Sequence, residues 1–381
     1  MKIALPDETG RMTHYPLVGV PVAGAVLGAN PARVVYSAAH VVADPFTASD
    51  PSGRAAVDWE RTMAFRHHLA GMGLGIAEAM DTAQRGMGLD WPGALELIRR
   101  TKADLPDALV ANGCGTDHLG PGPHSLDTVR RAYLEQVEAI QALGGRIILM
   151  ASRALTRAAR GPEDYIRVYS DVLAACDAPV ILHWLGEMFD PQLAGYWGAA
   201  RFEDALETVL AVIGANVAKV DGIKISLLDK DKEIVLRRRL PAGVRMYTGD
   251  DFNYPELIEG DAQGHSHALL GIFDPLAPAA ARAVAQLGAG DVAGFRATLD
   301  PTVPLARLIF RAPTQYYKTG VVFLAWLNGF QDHFIMLAGA QAMRPLPYFT
   351  ETFRLADGCG LLRDPEIAVA RMKRLLAIYG V

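Results

Sequence analysis

The chain reads as an α/β protein: a (β/α)8 TIM barrel with a C-terminal helical extension. Three observations predict this. Apolar, β-branched runs at 33–43, 75–81, 108–113, 146–151, 179–184, 220–226, 244–248 and 266–271 alternate with amphipathic stretches at 59–72, 92–102, 125–143, 162–176, 202–213 and 231–240. Strands alternating with helices build parallel sheets from βαβ units, and eight of them suit closure into a barrel. No strand is followed by a GxGxxG or P-loop pattern, which disfavours the runner-up, a doubly wound nucleotide-binding sheet.

In chain order, residues 1–32 form an N-terminal extension in which 2–5 and 14–17 flank Pro-Asp-Glu-Thr-Gly, the composition of a hairpin turn. Residues 33–274 are the barrel. Beyond 275 the strand pattern stops, and 278–287, 292–299, 316–327, 334–342 and 365–378 carry helical periodicity, so 275–381 reads as a helical domain. With 381 residues, 51% of them hydrophobic, the chain can bury a large core. A net charge of −5 gives no electrostatic footing for nucleic acid or an anionic membrane. Cys114, Cys176 and Cys359 form no CxxC pair, so a disulfide framework is not expected. The apolar stretch 17–28 is broken by Pro21 and lacks a basic leader, and no run is long enough to span a bilayer. The expectation is a cytoplasmic protein whose partner is a small molecule.

Lys224, in Val-Asp-Gly-Ile-Lys-Ile-Ser (220–226), interrupts a run that otherwise reads as a buried strand. Alternation puts Val220, Gly222, Lys224 and Ser226 on one face and Asp221, Ile223 and Ile225 on the other. Burial lowers a lysine pKa, and a neutral amine is a nucleophile that forms Schiff bases with carbonyls. The alternative is a strand-end lysine whose stem packs while its head reaches water.

Active sites of such barrels lie at the C-terminal strand ends, and polar residues gather there: Asp81, Thr82 and Arg85 after the second strand, Thr116, Asp117 and His118 after the third, Ser152 and Arg153 after the fourth, and His183 and Trp184 in the fifth. Lys224 and Ser226 end the sixth, Asp250, Phe252 and Tyr254 follow the seventh, and His265 and His267 belong to the eighth. Trp184, Phe252 and Tyr254 could wall a sugar pocket or simply pack. Arg66-His67-His68 lies on an amphipathic helix and reads as a solvated face.

Gly222-Ile223-Lys224 followed by Ser226, Asp44-Pro45-Phe46 closing the first strand, Gly249-Asp250-Asp251 after the seventh, the stretch from Gly264 to Pro275, and a lysine-to-glycine segment from Lys318 to Gly329 stand in one order. Together they resemble the dihydrodipicolinate synthase/N-acetylneuraminate lyase family of class I aldolases and lyases, over roughly residues 33–330. The resemblance implies a barrel with a C-terminal helical domain, assembly as a homo-oligomer (dimer or tetramer), Lys224 as the Schiff-base residue, and no cofactor beyond that covalent imine. It departs at two places. The family carries Gly-Thr-Thr-Gly-Glu after its second strand to hold a 2-keto acid carboxylate, where this chain has Met80-Asp81-Thr82-Ala83-Gln84. An aspartate there repels such a group, which favours a keto-sugar or polyol-derived carbonyl unless Arg85 swings inward; alternatively Asp81 caps the following turn. His183 stands where the family has a tyrosine that relays protons, and it can do acid–base work itself.

The candidates are thus Lys224 and His183 for the chemistry, and Asp81, Thr82, Asp117, Ser226, Asp250 and His267 for substrate binding. Two rivals share the barrel. In one, Asp117, His118, His183, His265 and His267 converge on a divalent ion to give a sugar isomerase, epimerase or dehydratase, although no HExxH-like pair exists. The other is a ligand-binding protein without turnover.

Overall fold

The structure, a computed structural model, describes residues 1–47 and 54–381. An antiparallel hairpin, β1 (Lys2–Pro6) and β2 (Met12–Pro16), comes first. Eight parallel strands follow: β3 (Val35–Ala38), β4 (Gly75–Glu78), β5 (Val110–Cys114), β6 (Arg146–Leu149), β7 (Val180–Leu185), β8 (Val220–Ser226), β9 (Arg245–Thr248) and β10 (His267–Leu270). They close into a barrel in the order β10-β3-β4-β5-β6-β7-β8-β9. Each of the eight expected runs supplies one strand. The first shortens from 33–43 to Val35–Ala38 because the chain beyond leaves the sheet.

The helices between strands are α1 (Trp59–Gly71), α2 (Trp91–Asp104), α3 (Leu126–Ala142), α4 (Arg153–Ala158), α5 (Pro162–Ala174), α6 (Phe202–Ala215), α7 (Lys230–Arg239) and α8 (Tyr254–Glu259). Side-chain caps start many of them: Asp58, Asp90, Ser125 and Ser152 accept from N–H groups that the first helical turn leaves without partners. Then come α9 (Ala277–Gly288), α10 (Val292–Leu299), α11 (Val303–Ile309), α12 (Tyr317–Leu327), α13 (Leu346–Gly358) and α14 (Pro365–Ile378). The expected helix at 334–342 is instead a short 3-10 segment, Leu337–Met343, kinked where Ala338 and Gly339 take positive φ. The hairpin is not free: Tyr15 Oη and the Val18 N–H both donate to the Asp357 carboxylate on α13, each at 2.8 Å.

Two apolar layers result. One, between strands and helices, includes Ile76, Leu149, Leu182, Trp184, Ile223 and Ile225. The other fills the barrel with Tyr36, Ala38, Ala77, Ala111, Ile148, Ile181, Tyr247 and Leu269, together with Met80 and Met150. Every barrel strand except β8 contributes to that inner layer. Strand β8 instead turns Gly222, Lys224 and Ser226 inward, opposite in sense to Ile223 and Ile225. Val220 does not share their face: a register shift opposite Val180/Ile181 makes Asp221 a bulged residue and turns Val220 toward the helices.

One sequence expectation is overturned in the strand–helix layer. Arg66 is not on a solvated face but fully buried, bidentate to Glu78 of β4 at 2.8 and 3.0 Å, with Thr101 of α2 donating to the same carboxylate at 2.7 Å. A guanidinium fork matches a carboxylate, and that pairing makes its burial tolerable. Replacing Arg66 by Met should strand the Glu78 charge and cost about 3–5 kcal/mol, read as a lower urea midpoint; a loss below about 1 kcal/mol would show that the pair is not what holds α1 against β4.

Candidate active site

Lys224 sits inside the barrel, 7% exposed. Gly249 makes its place, and Gly222 lets β9 come close to β8. A Cβ on Gly249 would fall 2.8 Å from Lys224 Cε and 2.6 Å from the Ile225 carbonyl oxygen, and against Ser226 Oγ; one on Gly222 would meet Tyr247 Cε2 at 2.7 Å. Burial pushes the Lys224 ammonium below its usual range, and the charges of Asp81 and Asp251 oppose that shift.

His183 is the register partner of Lys224 on β7. It points inward, since Leu182 and Trp184 on either side pack outward. Its Nε2 lies 3.3 Å from Ser226 Oγ, and its Nδ1 is buried without a partner among the described residues. Burial first, and then the charge of Lys224, hold His183 well below the ordinary histidine range, so the ring is a neutral imidazole that can accept a proton.

Above these groups opens a cavity of about 320 Å³, lined among others by Asp81, Thr116, Asp117, Ser152, His183 and Arg157. Lys224 is not part of that lining; it stands beside His183, its register partner. The volume suits a small polar molecule.

The structure separates the other candidates. Asp81 lines the cavity, opening a short 3-10 turn without capping it by its side chain. Thr82 is buried, its hydroxyl 2.8 Å from the Tyr317 hydroxyl of α12. Asp117 lines the cavity but is held bidentately by Arg85 at 2.7 Å through both oxygens; burial works to raise its carboxyl, and Arg85 overrides this and keeps it low. Arg85 also donates to the carbonyls of Ala79 and Gly113 and to Gln136, so it is tied into the wall and not poised to swing inward.

Two substrate-binding assignments need correction. Asp250 accepts from the Phe252 and Asn253 N–H groups and from Asn253 Nδ2, which spends its carboxylate on organising the turn before α8. His267 opens β10 and therefore stands at the N-terminal end of the barrel, where its Nδ1 accepts from the Val34 N–H. His265 lies against it, ring centroids 5.4 Å apart, so the histidines considered for a metal do not converge with His183. Among the described residues no group of three or more His, Cys, Asp or Glu is placed to hold a metal ion. The aromatic wall also fails: Trp184 stacks on Phe202 of α6 outside the barrel, Tyr254 is buried with its hydroxyl on Thr302, and Phe252 packs against the core.

Two residues not singled out for the site belong to it. Asp251, next to Asp250, is buried, accepts the Ile272 N–H at 2.9 Å, and is raised by burial to about 7 against the pull of Lys224. The only sequence signal for it was the Gly249-Asp250-Asp251 doublet. Lys318 of α12 is 5% exposed, donates to the Gln315 carbonyl at 3.0 Å, and is lowered by burial to about 8 against the charges of Asp81 and Asp190.

A closed parallel barrel with an amine, an imidazole and a carboxyl inside it, and a helical C-terminal segment supplying further polar groups, defines a TIM-barrel protein with a lysine-centred interior site. The chain belongs to the DUF993 family, described as "Protein of unknown function", whose model matches residues 3–381. Its fold is that of the dihydrodipicolinate synthases. YagE, a prophage protein of the dihydrodipicolinic acid synthase family from E. coli K12 solved in complex with pyruvate, superposes with TM-score 0.66 at 15% identity, over 87% of this chain and 99% of that one. The 4-hydroxy-tetrahydrodipicolinate synthase of Methylacidiphilum fumariolicum SolV gives 0.64 at 16%, over 90% and 99%, and the dihydrodipicolinate synthase of Thermotoga maritima 0.64 at 16%, over 87% and 99%. No curated protein matches the chain in sequence. No helix among the described residues is long and apolar enough to cross a membrane.

Because Gly249 makes room for the lysine stem, Gly249→Ala should leave a folded barrel, destabilised by about 1–3 kcal/mol, with the amine displaced. Reductive labelling of Lys224 by formaldehyde and cyanoborohydride, read by peptide mass, should then show a changed rate; an unchanged rate would mean that the glycine does not set the amine's position.

Proposed function

We propose that this chain is a cytoplasmic, homo-oligomeric class I aldolase or lyase that forms a Schiff base through Lys224. Its substrate is a small carbonyl compound, a keto-sugar or polyol-derived molecule rather than a simple 2-keto acid. The observation that carries the reading is the buried amine of Lys224 beside Asp251, a carboxyl that titrates near neutrality.

With the two groups coupled, a proton can pass from the ammonium to the carboxylate, leaving a neutral amine next to a neutral acid. The amine attacks the substrate carbonyl carbon to form a carbinolamine. Asp251 returns the proton to the departing hydroxyl, water leaves, and an iminium remains. The iminium draws electrons from the C–C bond two atoms away. As that bond breaks, neutral His183 takes the proton of the hydroxyl that becomes the product carbonyl, with the Ser226 hydroxyl 3.3 Å from its Nε2. Proton return to the enamine carbon and hydrolysis of the imine regenerate the lysine. No cofactor enters these steps. Asp81, on the cavity wall and within electrostatic reach of Lys224, disfavours a substrate carboxylate and accepts from substrate hydroxyls instead.

Borohydride in the presence of erythrulose should trap an adduct on Lys224, at least about tenfold more than with pyruvate at equal concentration, a difference of some 1.4 kcal/mol. Lys224→Ala should trap none, and an adduct mapped to another lysine would sink the proposal. The pH profile tests Asp251. Its carboxylate raises the Lys224 pKa, so Asp251→Asn removes that support and the amine loses its proton at lower pH. The trapping midpoint should move toward acid by about one unit, while the plateau rate falls for want of the acid. A midpoint that stays put or moves toward base would refute the coupling. Sedimentation velocity checks assembly, for which a dimer or tetramer is expected.

A further inference from the structure

We infer that the hydroxyl pair Thr116–Ser152 is a built-in subsite that donates one hydrogen bond to an oxygen of a polyhydroxylated ligand; the inference deepens the proposed function and rests on the same cavity. Thr116 follows β5 and Ser152 follows β6, so the pair occupies the arc of the rim between Asp81, after β4, and His183, on β7. Both residues line the cavity, and both are buried in the protein, 5% and 2% exposed.

Their oxygens are 2.6 Å apart and either can be the donor. Ser152 Oγ also accepts the Leu155 N–H at 2.9 Å as the cap of α4. The Ser152 backbone is fixed from outside, its N–H meeting Tyr196 Oη at 3.1 Å, with Tyr196 in turn 2.8 Å from Tyr169 Oη. The proton count then follows from the chemistry of hydroxyls. Two hydroxyls hold two protons, and one of these is used between them. If Thr116 donates to Ser152, the Ser152 proton is free; if Ser152 donates, the Thr116 proton is free. In both arrangements one O–H is left for a group in the cavity, and no acceptor among the described residues takes it. A buried donor without an acceptor is costly, so the pair is matched to a ligand oxygen or to water standing in for one.

The subsite complements Asp81. The carboxylate can only accept, so it suits a ligand hydroxyl acting as donor, while the pair gives a proton to a hydroxyl, carbonyl or carboxylate oxygen further round the rim. A ligand that satisfies both carries more than one oxygen along its chain, as a polyol or hydroxyketone does. The pair also has a built-in redundancy: loss of either hydroxyl leaves the other with its own proton.

Xylitol, which has hydroxyls but no carbonyl, is the probe for equilibrium binding to the full-length protein by calorimetry. Wild type should bind it. Thr116→Val and Ser152→Gly should each weaken binding by less than about threefold, and the double variant by about tenfold or more, a non-additive pattern expected of groups that share one function. Glycine is chosen because at a helix cap it costs only about a few tenths of a kcal/mol, and thermal melts confirm that the variants fold. No xylitol binding by wild type, equal binding by the double variant, or strictly additive losses would each overturn the subsite. Borohydride trapping with erythrulose separates this from the imine reading. An adduct on Lys224 with xylitol binding unaffected in the double variant removes the subsite alone, whereas no adduct with xylitol binding lost in the double variant removes the imine alone.

Discussion

The cost of keeping an amine away from water inside the barrel is the constraint around which this site is arranged. A lysine ammonium is strongly hydrated, and the interior of a closed barrel offers no water to replace that shell. The fold meets the difficulty on three sides. Strand β8 gives no apolar side chain to the inner layer, while Gly249, just after β9, clears the lysine stem. Asp81 and Asp251 supply opposing charge that stops the pKa from falling further. The same burial acts on the neighbours in the opposite chemical sense: it raises the Asp251 carboxyl to about 7 and lowers His183 well out of the charged range. One physical effect therefore shifts all three groups, in the directions that the proposed nucleophile, acid and base would need.

The barrel was legible because its information is periodic. Apolar runs alternating with amphipathic helices survive in a single sequence, and the oddity of Lys224 shows only against that regular background. What could not be read depended on where an element ends or on what lies far away along the chain. Asp250 and Asp251 are adjacent acids in one turn; which of them caps the backbone and which enters the barrel is settled by the path of that turn. His267 fell in a run expected at 266–271, but the strand is His267–Leu270, one residue shorter at each end, so the residue opens the strand and faces the barrel's other end. Arg66 looked solvated on its helix because its partner Glu78 lies on a strand twelve residues on, and neither position alone announces the pair. Helices α11 and α13 also went unread, although each buries one face: Leu305, Ala306 and Ile309 in the one, Tyr348, Phe349, Thr352, Phe353 and Ala356 in the other.

The C-terminal helices are part of the site's electrostatics, not a separate body placed beside it. The Tyr317 hydroxyl at the start of α12 meets Thr82 in the loop that carries Asp81, and Tyr317 stacks on Phe310 with ring centroids 4.3 Å apart. A Cβ on Gly271, at the end of β10, would press on both rings and on Thr82, so barrel and helices meet here without slack. Through this junction Lys318 comes under the influence of Asp81, Asp190 and Arg153, all three of which line the cavity.

That junction bears on which substrates the cavity can accept. Around its wall, Arg85 is paired with Asp117 and Arg153 with Asp190, so those four charges largely cancel within the protein. Among the described residues Asp81 has no such partner, and its charge acts on the amines of Lys224 and Lys318. A substrate carboxylate brought to Asp81 would leave two anions facing each other, and by adding negative charge beside Lys224 and Lys318 it would favour their ammonium forms. A neutral hydroxyl disturbs neither balance: it gives its proton to Asp81 and leaves the Lys224–Asp251 proton where the imine chemistry needs it. The proposed preference for a hydroxylated carbonyl compound is thus tied to the same charge balance as the proposed imine chemistry, and a change at Asp81 should alter both together.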